Sequence, residues 1–313
     1  MGGMAEILLA IDCRPVSPKR FVIVKRIRPE FAQDPDYIDF FINEGIISRL
    51  CKHQNIPHSQ ALEWCDGSPY LVMEYIRGHT LDRVMRACRD QSTLLSISGV
   101  VRIATTLASA LSHLHTLNDA NANPLRVIHR DVSPPNVLID GSGRTFLLDL
   151  GLARSAAQLH ATKSGQVKGR ASYCSPEQLI SSSRQQVDQR TDIFSLGIIL
   201  YELLTNTPLF KGETNTETLK KVAHSKIPAI HQRRSDCPQD LDTLVMAMLQ
   251  RDPAKRIKSA QVLLEHLRSF AAISHSATKE EWKNEVLRLC GDPPVPTLGA
   301  EALEVLRKSL RNT

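Results

Sequence analysis

The first quarter of the chain alternates short apolar runs with turn signals. Residues 5–11 (AEILLAI) and 21–25 (FVIVK) read as two strands, and Arg14, Pro15, Ser17 and Pro18 make the turn between them. A helix is predicted next. Asp34 suits the N-cap, Pro35 the first helical position and Asp36 the positive helix end. Ile38, Phe41, Ile42, Ile46 and Leu50 recur at helical spacing and predict its buried face. Residues 70–76 (YLVMEYI) read as a buried strand ending at Gly78. From Leu81 onward helical patterns dominate, as in 98–115 and 192–204, with short strands at 136–139 (NVLI) and 145–149 (TFLLD). Strands first and helices after predict an α+β fold, a small lobe joined to a larger helical one. The three prolines of 291–297 (GDPPVPT) read as a linker, and 300–311 as a final helix.

Length and composition narrow the classes. The chain has 313 residues, 42% of them apolar, which suffices for one large or two linked domains. The net charge of +6 is modest and reads as a solvated surface, with no call for nucleic acid as a partner. The seven cysteines are odd in number and lack a C-x-x-C pair, which fits reduced thiols in a cytosol better than a zinc site or disulfide framework. The N-terminus shows no signal-peptide pattern. The longest apolar stretch, 193–204, is broken by Ser195 and Glu202 and is too short to span a bilayer.

The segment His129-Arg130-Asp131-Val132-Ser133-Pro134-Pro135-Asn136 carries the chemistry, with Asp149-Leu150-Gly151 beginning eighteen residues after Asp131. A hydroxyl that attacks a phosphoryl group needs a carboxylate to accept its proton. A triphosphate needs Mg²⁺ bridging its oxygens, and Mg²⁺ prefers oxygen ligands. Singly, Lys25, Glu44 or Asp192 would be a surface or capping residue, and Met73 core packing. Their order together is what carries information.

That order resembles the eukaryotic-like (Hanks-type) bacterial serine/threonine protein kinases over about residues 2–270. The octapeptide is similar to H-R-D-x-x-x-x-N and Asp149-Leu150-Gly151 to D-F-G with Leu for Phe; Lys25 ends a strand like that of V-A-I-K, Ser175-Pro176-Glu177 resembles A-P-E, and 192–197 (DIFSLG) resembles the start of the central large-lobe helix. The resemblance implies a bilobal kinase fold with a kinase domain at 1–270 (small lobe 1–76, large lobe 77–270) and a helical or linker tail at 271–313. It implies ATP and Mg²⁺ in the cleft, Asp131 as catalytic base, Asn136 and Asp149 on the metal, and Lys25, oriented by Glu44, on the α/β-phosphates. Gly2, Gly3, Ile7, Ile23, Met73 and Leu138 would line the nucleotide, with the backbone of Glu74 to Ile76 at the adenine edge. Arg256 would pair with Glu177, and His129 would be structural.

Departures from the pattern add expectations. Only Gly2 and Gly3 remain of the glycine-rich loop, Ala5 stands at its last glycine, and the first small-lobe strand is missing. Ile23 replaces a small alanine over the adenine, and overpacking costs about 1–3 kcal/mol. Gly45 should weaken its helix by about 1 kcal/mol relative to Ala. Ser133 stands where most such kinases carry a lysine, and Arg170, after Gly169, where they carry a threonine, so a cation and a hydroxyl have changed places. Residues 150–176 contain Arg154, Lys163, Lys168 and Arg170 and no acidic residue, which makes Thr162 and Ser164 candidate autophosphorylation sites. The expected activity is a cytoplasmic ATP-dependent kinase acting on protein serine or threonine hydroxyls. The alternatives are a catalytically silent kinase-like scaffold and a small-molecule phosphotransferase of the same fold.

Overall fold

A computed structural model describes residues 5–13, 20–65, 67–150, 171–180, 187–273 and 278–296. Gly2, Gly3, Thr162, Ser164, Gly169, Arg170 and the helix expected at 300–311 lie outside the described residues.

The small lobe is an antiparallel sheet of β1 (Ala5–Asp12), β2 (Arg20–Ile27), β3 (Ser59–Cys65) and β4 (Ser68–Glu74), in the order β1-β2-β4-β3. Helix α1 (Pro35–Leu50) covers one face. Asp34 caps it by accepting the Asp36 N–H at 3.0 Å, as the sequence predicts. Its buried face differs from the prediction. Tyr37, Phe41, Glu44, Gly45 and Ser48 point inward, whereas Ile46 and Leu50 are exposed. At about 100° per residue a helix that aims Glu44 inward must turn Ile46 outward. Gly45 has a packing reason: an added Cβ would sit 2.8 Å from Leu62 Cδ1 on β3.

Strand β4 stops at Glu74, two residues before the predicted end, and residues 75–77 form a connecting hinge. The chain re-enters a second sheet, β5 (Gly78–Thr80), β6 (Val137–Asp140) and β7 (Thr145–Leu147), in the order β5-β6-β7. Gly78 is required by close approach, because a Cβ there would meet the Ile139 carbonyl oxygen at 2.4 Å.

The large lobe is built on α2 (Leu81–Asp90), α3 (Ile97–His115), α4 (Pro176–Ile180), α5 (Arg190–Thr205), α6 (Asn215–His224), α7 (Gln239–Met248), α8 (Ala260–Ile273) and α9 (Lys279–Cys290). Helix α5 is buried on every side, which matches its near-continuous apolar sequence. Helix α3 packs against α5, α8 and β7. Among the described helices, α3 is long and apolar enough to cross a bilayer, but most of it is buried inside the lobe.

The C-terminal part is more integrated than a tail or linker. Helix α8 runs through residue 270, and α9 packs back on α2. Thr278 and Glu281 form a capping box at its start. Trp282 is fully buried, with its ring where a Cβ on Gly99 would come within 2.7 Å of Cε3. The proline-rich stretch expected to be a linker is hydrogen-bonded to the hinge: Arg77 Nε donates to the Pro293 carbonyl at 2.9 Å.

Candidate active site

The cleft between the lobes is lined by residues that β2, α1 and the segment between α3 and β7 bring together. In β1 and β2, Ile7 pairs with Lys25 and Leu9 with Ile23. Paired residues share a sheet face, so Ile7 and Ile23 lie on the face that carries Lys25. Ile23 also pairs with Met73 on β4. Ile7 is 63% exposed, consistent with an open cleft face. Leu138 on β6 lies directly under the hinge, its Cδ2 2.4 Å from where a Gly78 side chain would begin.

Lys25 is buried and donates to two carboxylates, Glu44 Oε1 and Asp149 Oδ1, the second at 2.5 Å. Burial alone would lower the Lys25 ammonium, but Asp149 and Glu44 outweigh it and raise it above its ordinary value. Burial also pushes the Glu44 carboxyl up to about 7, against the pull of Lys25 and with the Asp149 charge adding to the rise. Burial opposes ionisation of Asp149 too, but Lys25 overcomes it and holds that carboxyl down at about 2. The site therefore keeps one permanent cation and one permanent anion beside a carboxylate close to titrating.

The catalytic-loop segment is fixed from below. Asp192, at the start of α5, is fully buried and accepts the backbone N–H of His129 at 2.9 Å and of Arg130 at 2.8 Å. His115 Nε2 also meets Asp192 Oδ2 at 2.8 Å. His129 Nε2 donates to the Leu148 carbonyl at 3.0 Å, tying this loop to the segment that carries Asp149. Arg130 and Asp149 both adopt left-handed backbone, with φ of 62° and 52°. For residues other than glycine this costs about 1–2 kcal/mol each.

Asn136 donates from Nδ2 to the Asp131 carboxylate (Oδ2, 2.8 Å) and to its carbonyl (2.9 Å). The Asp131 carboxylate is thereby oriented, and the Asn136 amide oxygen is left as an acceptor. Ser133 is buried, and its hydroxyl donates to the Asp131 backbone carbonyl at 3.4 Å. The other half of the exchange read from the sequence, Arg170, lies outside the described residues.

The pair expected between Glu177 and Arg256 is present and bidentate, at 2.7 and 3.1 Å. Arg256 also donates to the carbonyls of Arg190 and Gln250, so it ties α4 to the start of α5 and to the segment after α7. Two anchors were missed in the sequence. Asn55 accepts Leu147 N–H on its carbonyl at 2.8 Å and donates from Nδ2 to Thr145 O at 2.9 Å, fixing the end of α1 to the large lobe. Tyr173 donates its hydroxyl to the buried Glu202 at 2.7 Å. Neither has a local sequence signature, since each partner lies far away in the chain.

The donor set fits nucleotide and Mg²⁺. Asp149 and Asn136 supply oxygens of the kind Mg²⁺ takes, Lys25 supplies a cation beside Asp149, and Asp131 stands beside Asn136. Among the described residues there is no cluster of three or more His, Cys, Asp or Glu that would hold a metal by itself.

Comparison with known proteins agrees with this geometry. Residues 2–267 match the protein kinase domain family. The chain is 31% identical over 269 residues to the tyrosine-protein kinase MasK of Myxococcus xanthus, covering 86% of this chain and 41% of that protein. It is 33% identical over 265 residues to the serine/threonine-protein kinase PknB of Mycobacterium leprae, covering 83% and 40%. The chain thus spans about two fifths of the length of these curated relatives. The kinase domain of Mycobacterium tuberculosis PknI superposes with a TM-score of 0.61 at 21% identity, covering 86% of this chain and 91% of that one. The family match ends before α9 begins.

Proposed function

The chain belongs to the protein kinase domain family, and on that premise we propose that it transfers the γ-phosphoryl group of ATP to serine or threonine hydroxyls of proteins. What supports this reading is a pair of hydrogen-bonded groups, Lys25 with Glu44 and Asp149 and Asp131 with Asn136, joined through the backbone by Leu148 N–H donating to the Asn136 carbonyl at 2.8 Å. A silent scaffold needs none of these groups, and nothing in the geometry favours that alternative.

Lys25, oriented by Glu44, holds the α/β-phosphates, and the backbone of Glu74 to Ile76 meets the adenine edge. Ile7 and Ile23 make the ceiling over the base, with Gly2 and Gly3 at its open end on the sequence pattern; Met73 closes the back and Leu138 supplies the floor. Asn136 and Asp149 hold Mg²⁺, which neutralises phosphate oxygens when bound. Asp131, oriented by Asn136, accepts the proton of the attacking hydroxyl. On the sequence alone, Arg170 supplies the cation near the γ-phosphate that Ser133 cannot. Thr162 and Ser164 are the proposed autophosphorylation sites. A cytoplasmic setting is supported by the seven free cysteines.

The test is ATP-dependent transfer by the purified chain, with and without Mg²⁺, scored separately on serine, threonine and tyrosine acceptors. Asp131→Asn should lower the rate by about 10²–10⁴-fold. Equal transfer by mutant and wild type would sink the assignment. Preferential transfer to tyrosine would instead align the chain with what the MasK name says of that relative.

A further inference from the structure

Residues 278–296 follow the family match, and they make directed contacts that end at the hinge. The Trp282 ring fills the space left by Gly99. Glu285 accepts Ser96 N–H at 2.7 Å and the Ser96 hydroxyl at 2.5 Å. The Leu289 carbonyl accepts Gln91 Nε2 at 3.0 Å. Gly291, with φ of 72°, ends α9 and redirects the chain. Its carbonyl accepts His79 Nε2 at 3.0 Å, and the Pro293 carbonyl accepts both Nε and Nη2 of Arg77. The contacts step from α3 to α2, then to β5, then to the hinge.

The last two contacts bracket Gly78, which is already pressed against the Ile139 carbonyl. The hinge is therefore fixed on its far side at two successive points, with no room at the residue between them. His79 is 2% exposed and its Nδ1 is buried without a partner. A buried orphan nitrogen costs about 1–3 kcal/mol, so the orientation that gives Nε2–H to Gly291 is held by its surroundings. Arg77 differs. It is exposed, and beside it lies a cavity of about 420 Å³ with further charged lining from Glu74, Asp140, Arg144 and Asp292. Water can replace its contacts there, so losing Arg77 should cost little global stability.

We propose that residues 278–296 form a strap whose contacts with Arg77 and His79 hold the hinge backbone in register for the adenine edge, making these two side chains positioning residues for ATP. The proposal rests on the reading of the cleft as an ATP site. Its direct physical content, a hinge stiffened by a C-terminal segment, does not depend on turnover.

The experiment uses the full chain with Arg77→Ala and Arg77→Lys. ATP KM and kcat, melting temperature and amide hydrogen exchange across residues 74–80 are measured on each. Arg77→Ala should raise the ATP KM by about three- to tenfold with kcat within about twofold, the pattern of lost uniform binding. Its melting temperature should hold, and the hinge amides should exchange faster. Arg77→Lys should recover part of both effects, because an ammonium can still donate to the Pro293 carbonyl but without the planar fork. Unchanged hinge exchange in Arg77→Ala overturns the strap, as does a changed exchange with an unchanged KM in an active enzyme. If the wild type transfers no phosphate, the kinase reading fails, while the comparison of hinge exchange still decides for or against the strap.

Discussion

Lys25 Nζ lies 2.5 Å from Asp149 Oδ1 and also donates to Glu44, so a single ammonium neutralises carboxylates brought from 19 and 124 positions away. Removing it leaves two acids side by side, Glu44 buried and Asp149 with 34% of its side chain exposed. Breaking a buried ion pair from one side costs about 3–5 kcal/mol. Lys25→Met should therefore lose stability of that order in urea unfolding, besides losing transfer. Adding Glu44→Gln should recover a substantial part of the stability but none of the activity. Additive losses in the double mutant would mean the three groups are not coupled.

The raised Glu44 gives the pair a pH dependence. As pH falls through about 7, Glu44 takes up a proton and its ion pair with Lys25 weakens, so activity should fall on the acid side. Stability runs the other way for this group. Its folded value of about 7 exceeds the ordinary 4.5, so its contribution is full below 4.5 and is lost as pH rises through 7. Asp149 has the opposite sign: it contributes above 3.8, and that contribution is lost as pH falls through about 2. A rate profile between roughly pH 5.5 and 8 should show the acid limb in the wild type and not in Glu44→Gln, which should be slower but flat. A limb that survives in Glu44→Gln assigns it to another group.

Gly99 separates packing from propensity. By helix propensity Gly99→Ala should stabilise α3 by about 1 kcal/mol. The fully buried indole of Trp282 stands in the way, with Cε3 at 2.7 Å and Cζ3 at 2.8 Å from the new methyl. A rigid ring cannot yield as a flexible side chain would, and overpacking costs about 1–3 kcal/mol. The expected sign is therefore destabilising, read from the denaturation midpoint. A more stable Gly99→Ala would show that α9 does not hold its place.

The exchange of Ser133 and Arg170 is tested by a cycle of Ser133→Lys, Arg170→Thr and the double mutant. A double mutant that outperforms either single one supports a shared role at the γ-phosphate. Strictly additive rate losses leave Arg170 an ordinary surface cation.

The octapeptide 129–136 could be singled out in the sequence because its contacts are local: Asp131 and Asn136 hydrogen-bond within five positions. The inward face of α1 was misread because apolar spacing predicts Ile46 and Leu50 inside, while the helix is oriented by Glu44 reaching Lys25. Strand β3 was passed over; its sequence, SQALEWC, carries charge and ends in exposed positions, and it is held by pairing with β4 more than by an apolar face of its own. Helix α9 had a readable signal. Thr278 and Glu281 make a capping box, and Trp282, Val286 and Leu289 follow at spacings of four and three. What no local pattern could give is the seat of that helix, since Gly99, Ser96 and Gln91 lie almost two hundred positions earlier.

The left-handed backbone at Arg130 and Asp149 sets stability against activity. Glycine adopts that conformation without a steric penalty, so Arg130→Gly would relieve local strain, whereas Asp149→Gly would relieve strain only by stripping Lys25 of one of its two carboxylate partners. Each would also delete a side chain that the catalytic motifs supply. Selection for heat resistance alone, applied to a library of this chain, has a route to sturdier molecules that no longer transfer phosphate. A screen for robust variants must therefore read turnover and melting together, because a position such as Arg130 can improve one by surrendering the other.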